Sequence, residues 1–336
     1  MIPFRALFAV LLAAGCVCFA GSEQTAVLES GNLEVTLDSA FPRIIRYKLK
    51  DSGAILEGQT SPVSAVELNG KAEPSVVEFR KTSRAGGVYA IRFPRSAVEW
   101  VLSVKVSDSS VALETTRVRE NGTTKARTFS LPGNALMAVS TVQPDAAVAA
   151  TFSTCMADHY QGAFRERICS LASLQPMSDT GNYFFASAGG IAAGIAGNGP
   201  VDIQRTAWKV SESNGVKICT AWCPAWIYRE IDAETVDLPS VTVFVAGDRN
   251  GDGVATWQDA ALVYRETMPK PFGSEFVRST VGENIAMNFA SGAQQPFLRI
   301  LDNVKKAYLA TDGIGQQVLI KGCSSEGHDR ANTDCA

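Results

Sequence analysis

The chain has 336 residues, 46% of them apolar and 19% charged, so it is long enough for two domains that each bury a core. Its 31 Lys and Arg face 34 Asp and Glu, a formal net charge of −3, which leaves no basic face for a polyanion and sets nucleic acid aside as a partner. Two His, His159 and His328, and the lack of any C-x-x-C pair argue against a zinc site.

The N-terminus, MIPFRALFAVLLAAGCVCFAGSEQ, places one Arg before an apolar run and then small residues. That is the layout of a secretory signal over residues 1–20, cleaved after Ala20, and it is too short for a transmembrane segment. AAGC offers lipoprotein processing at Cys16 as the other route, and both lead to a secreted, periplasmic or cell-surface protein. Beyond Cys18 the cysteines are Cys155, Cys169, Cys219, Cys223, Cys323 and Cys335. Spacing makes Cys155 with Cys169, or Cys219 with Cys223, candidates for pairing in an exported chain; the connectivity stays open.

From about residue 24 to 246 the dominant period is two. NLEVTLDS, EWVLSVKVSDSSVALETTRV and SVTVFVAG alternate apolar with polar residues between Asp, Ser, Gly and Asn clusters, as half-buried antiparallel strands do. Many strands with almost no helical stretch predict two sheets packed face to face. The Gly-rich run ASAGGIAAGIAGNGP lacks the G-x-G-x-x-G spacing of a nucleotide loop and reads as strand and turn with close backbone approach. Asn121-Gly122-Thr123 is a turn that also forms a glycosylation sequon.

Within GDRNGDGVATWQDAALVYRETM, the loop 248–259 then concentrates three carboxylates, Asp248, Asp252 and Asp259, and two glycines, Gly251 and Gly253, just after the strand SVTVFVA. Counted from Asp248, oxygen donors fall at position 1 (Asp248), 3 (Asn250), 5 (Asp252), 7 (the Val254 carbonyl) and 12 (Asp259), with Gly253 at the sharp turn. This is the ligand spacing of an EF-hand-type loop and predicts a structural Ca2+ site, with Thr256 contributing directly or through water. A strand entering the loop, and Asp instead of Glu at its last position, favour a static site over a switch. The other reading is an Asp/Asn/Gly-rich turn that caps a helix without metal. Trp257, Ala261, Tyr264 and Met268 then share a helical face, and the helix ends before Pro269.

After the connector MPKPFGSE, IAMNFAS reads as an apolar strand. QQPFLRILDNVKKAYLATDGIG reads as a helix started by Pro296, ended near Gly313 and lined by Phe297, Leu301, Val304 and Tyr308. With QQVLIKGC as the next strand, this is a βαβ unit with parallel strands.

From the acidic loop onward the sequence resembles the endo-alpha-N-acetylgalactosaminidases of glycoside hydrolase family 101. The resemblance is carried by GDRNGDGVATWQDAALVYRETM, by IAMNFASGAQQPFLRILDNVKKAYLATDGIGQQVLIKG and by SSEGHD. After the signal peptide over 1–20, it implies a mainly β fold: a galactose-mutarotase-like β-supersandwich with the calcium loop and its helix over 21–268, and over 269–336 the first βαβ segment of an incomplete (β/α)8 barrel. The implied activity is removal of Galβ1,3GalNAc from Ser or Thr of mucin-type O-glycans with retention, which needs a nucleophile and an acid/base carboxyl about 5 to 5.5 Å apart. In the family those carboxyls stand on later barrel strands, so the resemblance assigns no catalytic residue here and implies a fragment inactive alone.

By the same resemblance Asp329 matches an aspartate that accepts hydrogen bonds from sugar hydroxyls. Asn332 stands where the family usually has a His, and His328 is their neighbour. A loop after a barrel strand is where such enzymes build their sites, and an ionised carboxylate can accept from two adjacent hydroxyls. Two further readings remain. One is a non-catalytic carbohydrate-binding or adhesion module. The other is an enzyme with its site on the sandwich, for which His159 is the only His ahead of the barrel segment.

Overall fold

Alternating side chains put one face of each strand in water and the other against a second sheet. The computed structural model describes residues 25–151, 166–181, 183–198, 206–230, 233–234, 237–268, 270, 272–286 and 297–321. By internal contacts the chain divides into two units, Met1–Thr267 and Met268–Ala336.

The first unit is built on two large antiparallel sheets. One has eight strands, in the order Thr25–Glu29, Leu33–Asp38, Ile44–Leu49, Ile55–Glu57, Met137–Ser140, Val216–Trp222, Thr206–Ser213, Met177–Gly181. The other has nine: Glu166–Ser170, Ala147–Thr151, Phe184–Ala188, Ile191–Gly197, Ser240–Ala246, Ser110–Glu120, Val98–Val106, Gly86–Phe93, Val76–Lys81. Their inner faces share one core. From the first sheet come Leu33, Val35, Leu37 and Tyr47; from the second come Tyr89, Ile91, Trp100, Leu102, Val104 and Val243. A four-stranded sheet adds Phe129 and Trp226. Trp100 stacks on Phe129 with ring centroids 4.6 Å apart, meets Trp226 edge-on at 5.6 Å, and donates its indole N–H to Thr115 Oγ1 at 3.0 Å. The polar edge of this buried ring therefore keeps a partner, as a buried indole requires.

The Gly-rich run forms the strands Phe184–Ala188 and Ile191–Gly197 with a tight turn at Gly189 and Gly190, whose φ values of 57° and 82° only glycine adopts without strain. Gly194 pairs with Phe185 across this hairpin, and a Cβ at Gly194 would run into the Phe185 ring. The close approach expected from the sequence is thus one of backbone to an aromatic face.

The helix Trp257–Thr267 lies on the outer face of the nine-stranded sheet. The expected apolar face is rotated by one position: Ala260 and Val263 are fully covered, Trp257, Ala261 and Tyr264 flank them, and Met268 is half exposed. The reason is the ground beneath it. Phe185 and Phe244 project outward from adjacent parts of the sheet, with Tyr264 6.3 and 5.2 Å from their ring centroids and Trp257 6.4 Å from Phe185, so small residues must face the sheet between the rings.

In the second unit Thr280–Ala286 and Gly315–Lys321 pair in parallel, Thr280 opposite Gly315 and Ala286 opposite Lys321, joined through the helix Phe297–Ala310. The expected βαβ element is present. Its first strand starts ahead of IAMNFAS, and residues 287–296 lie outside the described residues. A short helix, Ser274–Val277, occupies what read as a Pro-rich connector. The face expected to be buried on the longer helix is corrected too: Ile300 is covered, with Val304 and Ala307 partly so, whereas Phe297, Leu301 and Tyr308 are about half exposed. Ile300, Val304 and Ala307 form the i, i+4, i+7 row, and the Val304 carbonyl accepts from Gln316 Nε2 at 2.9 Å, which fixes this side toward the strand.

The described cysteines also correct the sequence reading. Cys169 and Cys219 are both thiols, so neither the Cys155–Cys169 nor the Cys219–Cys223 pairing is made. Cys219 points into the core from the strand Val216–Trp222, and Cys223 lies beyond the end of that strand, where its thiol donates to the Ala225 carbonyl at 3.2 Å.

Candidate functional site

The loop 248–259 is organised by its own carboxylates. Asp248 follows the strand Ser240–Ala246 and turns its side chain back over the loop, Oδ1 accepting from the Gly251 N–H at 2.7 Å and Oδ2 from the Gly253 N–H at 2.8 Å. Gly251 and Gly253 both have positive φ, 78° and 89°, so the chain reverses twice within three residues. Asn250 Oδ1 accepts from the Asp252 N–H at 3.0 Å and its amide donates to Asp252 Oδ2 at 3.0 Å, while Asp252 Oδ1 accepts from the Val254 N–H at 3.0 Å. Asp248, Asn250 and Asp252 thus share one concave turn.

Asp259 is fully covered and faces the same loop from the helix. Its Oδ1 accepts from the N–H groups of Arg249 at 2.7 Å and Asn250 at 3.1 Å; its Oδ2 accepts from the Thr256 N–H at 2.7 Å and the Thr256 hydroxyl at 3.3 Å. Thr256 Oγ1 in turn accepts from the Gln258 N–H at 3.3 Å. Thr256 and Asp259 therefore form a reciprocal capping box, with the N-cap hydroxyl serving the helix and the third helical residue serving the N-cap N–H. Burial alone would raise the Asp259 pKa; the backbone donors of Thr256, Arg249 and Asn250 outweigh it and hold the carboxyl below its ordinary range. Arg249 also pairs with Glu266 at 2.8 Å, tying the loop to the last turn of the helix. A cleft of about 330 Å³ beside the loop is lined in part by Asn32, Asp51, Asp108, Asp248 and Arg249.

The oxygen donors fit a hard cation in kind: two carboxylates and one amide oxygen with a carbonyl-bearing turn at Val254. They fit incompletely in arrangement, because both oxygens of Asp259 already serve the backbone, and among the described residues no group of three or more His, Cys, Asp and Glu side chains could hold a metal ion. The helix-capping reading, weighed beside the cation from the sequence, describes the hydrogen bonds that Asp259 makes here. Asp329, Asn332 and His328, together with the signal segment 1–20 and His159, lie outside the described residues.

Residues 28–257, more than half of the chain, match the family model described as a galactose mutarotase-like fold domain. The chain belongs to this family. Residues 258–336 match the model described as endo-alpha-N-acetylgalactosaminidase, so the boundary between the two models falls at the start of the helix Trp257–Thr267, hence the junction helix. A curated protein of Renibacterium salmoninarum, named as a candidate endo-alpha-N-acetylgalactosaminidase, is 32% identical over 326 residues, which cover 91% of this chain and 21% of that protein. The chain thus spans about a fifth of the length of this relative. The resemblance read from the sequence is borne out across both units.

Among solved structures, a quadruple mutant of the alpha-N-acetylgalactosaminidase NagBb from Bifidobacterium bifidum is similar with a TM-score of 0.50 at 9% identity, covering 93% of this chain and 54% of that one. A GH36 alpha-galactosidase from Geobacillus stearothermophilus has a TM-score of 0.48 at 10% identity, with 88% and 50% covered. At such identities the likeness to NagBb is one of fold alone.

Among the described residues no helix is long and apolar enough to cross a membrane.

Proposed function

We propose that the chain serves a secreted glycoside hydrolase that acts on GalNAc-linked, mucin-type O-glycans and releases Galβ1,3GalNAc from Ser or Thr with retention. The observation that carries this reading is the continuity of the match: the mutarotase-like sandwich passes, at the junction helix, directly into a parallel strand–helix–strand element within the span that matches the endo-alpha-N-acetylgalactosaminidase model. Asp329, with Asn332 and His328 near it in sequence, receives the sugar in the segment that follows the strand Gly315–Lys321; an ionised Asp can accept from two neighbouring pyranose hydroxyls. Retention needs two carboxyls on opposite sides of the glycosidic bond. By the resemblance these stand on further barrel strands, and the part proposed for the 336 residues is to bind the sugar.

A structural calcium ion is part of the same proposal. Asp248, Asn250, Asp252 and the Val254 carbonyl would hold it, and Asp259 would join them only by exchanging backbone donors for the cation. Calcium would supply neutralisation of charge in a turn that carries Asp248 and Asp252 side by side.

The test is calorimetric titration of the chain with Galβ1,3GalNAc, paired with an aryl α-glycoside of the same disaccharide as reporter. Saturable binding that is lost in Asp329→Ala, with no aryl release, supports the reading. Hydrolysis by the chain alone overturns its catalytic part. Binding that Asp329→Ala leaves untouched would favour the second reading, a carbohydrate-binding module whose site is on the sandwich.

A further inference from the structure

The two large sheets bring together two cysteines that are remote in sequence. Cys169 lies on Glu166–Ser170 directly opposite Val148 of the neighbouring strand, and Val148 is buried in the core between the sheets. Residues directly opposite in an antiparallel pair share a face, so Cys169 points inward, and its side chain packs against that core from the nine-stranded sheet. Cys219 lies on Val216–Trp222 of the eight-stranded sheet, opposite Val139 and Val210, and all three are buried in the same core.

A hydrogen bond ties the two sheets close to both cysteines. The single helical turn Leu171–Ser173 that follows Cys169 accepts, at the Ala172 carbonyl, a 2.6 Å hydrogen bond from Lys217 Nζ, on the strand that carries Cys219. Burial pushes the Cys219 thiol up to about 12, and the Cys169 thiol beside it adds to the rise. Two thiols facing one core from opposite sheets, Cys169 on the edge strand of one and Cys219 on an inner strand of the other, have the placement an inter-sheet crosslink needs once their Cα atoms come within about 7 Å.

We propose that Cys169 and Cys219 form a disulfide that staples the two sheets when the chain folds in the presence of a small-molecule or protein disulfide. The half-buried Cys169 thiolate attacks a sulfur of the oxidant, forming a mixed disulfide and releasing one thiolate. The Cys219 thiolate then attacks the Cys169 sulfur and expels the second. Two protons and two electrons leave the protein, and one oxidant disulfide becomes two thiols. The crosslink closes the long segment between the residues and so removes freedom from the unfolded chain. It depends on nothing in the proposed enzymatic role.

The test uses the whole chain, unfolded and reduced, then refolded in a glutathione/glutathione disulfide buffer. Remaining thiols are alkylated and the protein is digested without reduction. The expected product is a linked peptide pair carrying Cys169 and Cys219, two hydrogens lighter than the sum of its parts. The oxidised chain should unfold roughly 5 to 10 °C above the reduced one, a difference absent in Cys169→Ser. Alkylation of both residues in the refolded protein, or linkage of either to another cysteine such as Cys155, overturns the assignment. Should Cys169→Ser fail to fold, the peptide map of the unsubstituted chain decides by itself.

Discussion

Thr256 and Asp259 cap each other: the Thr256 N–H meets Asp259 Oδ2 at 2.7 Å, and the same carboxyl reaches back to Arg249 and Asn250 through Oδ1. One side chain thus starts the junction helix and closes the loop before it. Asp259→Ala should cost about 2 to 3 kcal/mol of unfolding free energy in denaturant titrations, about 1 for the cap and the rest for backbone donors left without a partner. Asp259→Asn keeps one acceptor oxygen and should lose about half as much. A loss below about 0.5 kcal/mol in the Ala variant would mean that water replaces the carboxylate without cost.

Calcium should raise the thermal midpoint of the chain by roughly 5 °C at a concentration a hundredfold above its dissociation constant, and chelation should reverse the rise. Asp252→Ala should abolish the response while leaving the metal-free midpoint within about 2 °C, since Asp252 is exposed and bonds only within its own turn. Magnesium, which demands tighter octahedral geometry, should do little. An unchanged midpoint with calcium would leave the loop as a helix cap and nothing more.

The Phe185 ring lies over Gly194 and packs against Trp257, Ala260 and Tyr264 of the junction helix. Gly194→Val should therefore displace the ring and destabilise the first unit by about 1 to 3 kcal/mol, the usual penalty of overpacking. Near-ultraviolet circular dichroism should report the change through Trp257, which neighbours Phe185. Adding Phe185→Leu should recover part of the loss; the two substitutions should not add.

Glu29, on the edge strand Thr25–Glu29, is held down to a pKa of about 2 by Arg84 and Lys50, its partners at 3.0 and 2.6 Å. Its carboxyl is more acidic in the folded chain than at its ordinary value of 4.5. The stabilisation is therefore complete above that value and is lost as pH falls from there through about 2. Stability measured from pH 5 down to about 2 should fall less steeply in Glu29→Gln than in the unsubstituted chain, and added salt should shrink the difference because the pair is near the surface. Equal slopes in the two proteins would show that Arg84 and Lys50 hold Glu29 no more firmly than water does.

Much of the fold could be read along the chain because sandwich strands carry their burial in alternate positions: Leu33, Val35 and Leu37 are core while Glu34 and Thr36 between them are not. Helix ends were legible for the same local reason, since Gly313 with φ 87° follows the helix Phe297–Ala310. The buried faces of both helices were less so, because which row turns inward depends on Phe185, Phe244 and Gln316, none of which belongs to the helix it orients. The acidic loop carries two messages at once. A carboxylate at Asp259 satisfies both position 12 of a cation loop and the third position of a capping box, and spacing alone has no means of choosing between them. The approach of Cys169 to Cys219 leaves no local trace, because it depends on which sheet each strand joins.

The strand Ser240–Ala246 is the last of the nine to be made, yet it stands in the middle of its sheet, between Ile191–Gly197 and Ser110–Glu120. A nascent chain leaving the ribosome must therefore hold two half-sheets apart, each with a bare hydrogen-bonding edge, until this late segment arrives to zip them together. Synthesis halted before residue 240 would release a species with two sticky margins, the form most in need of a chaperone.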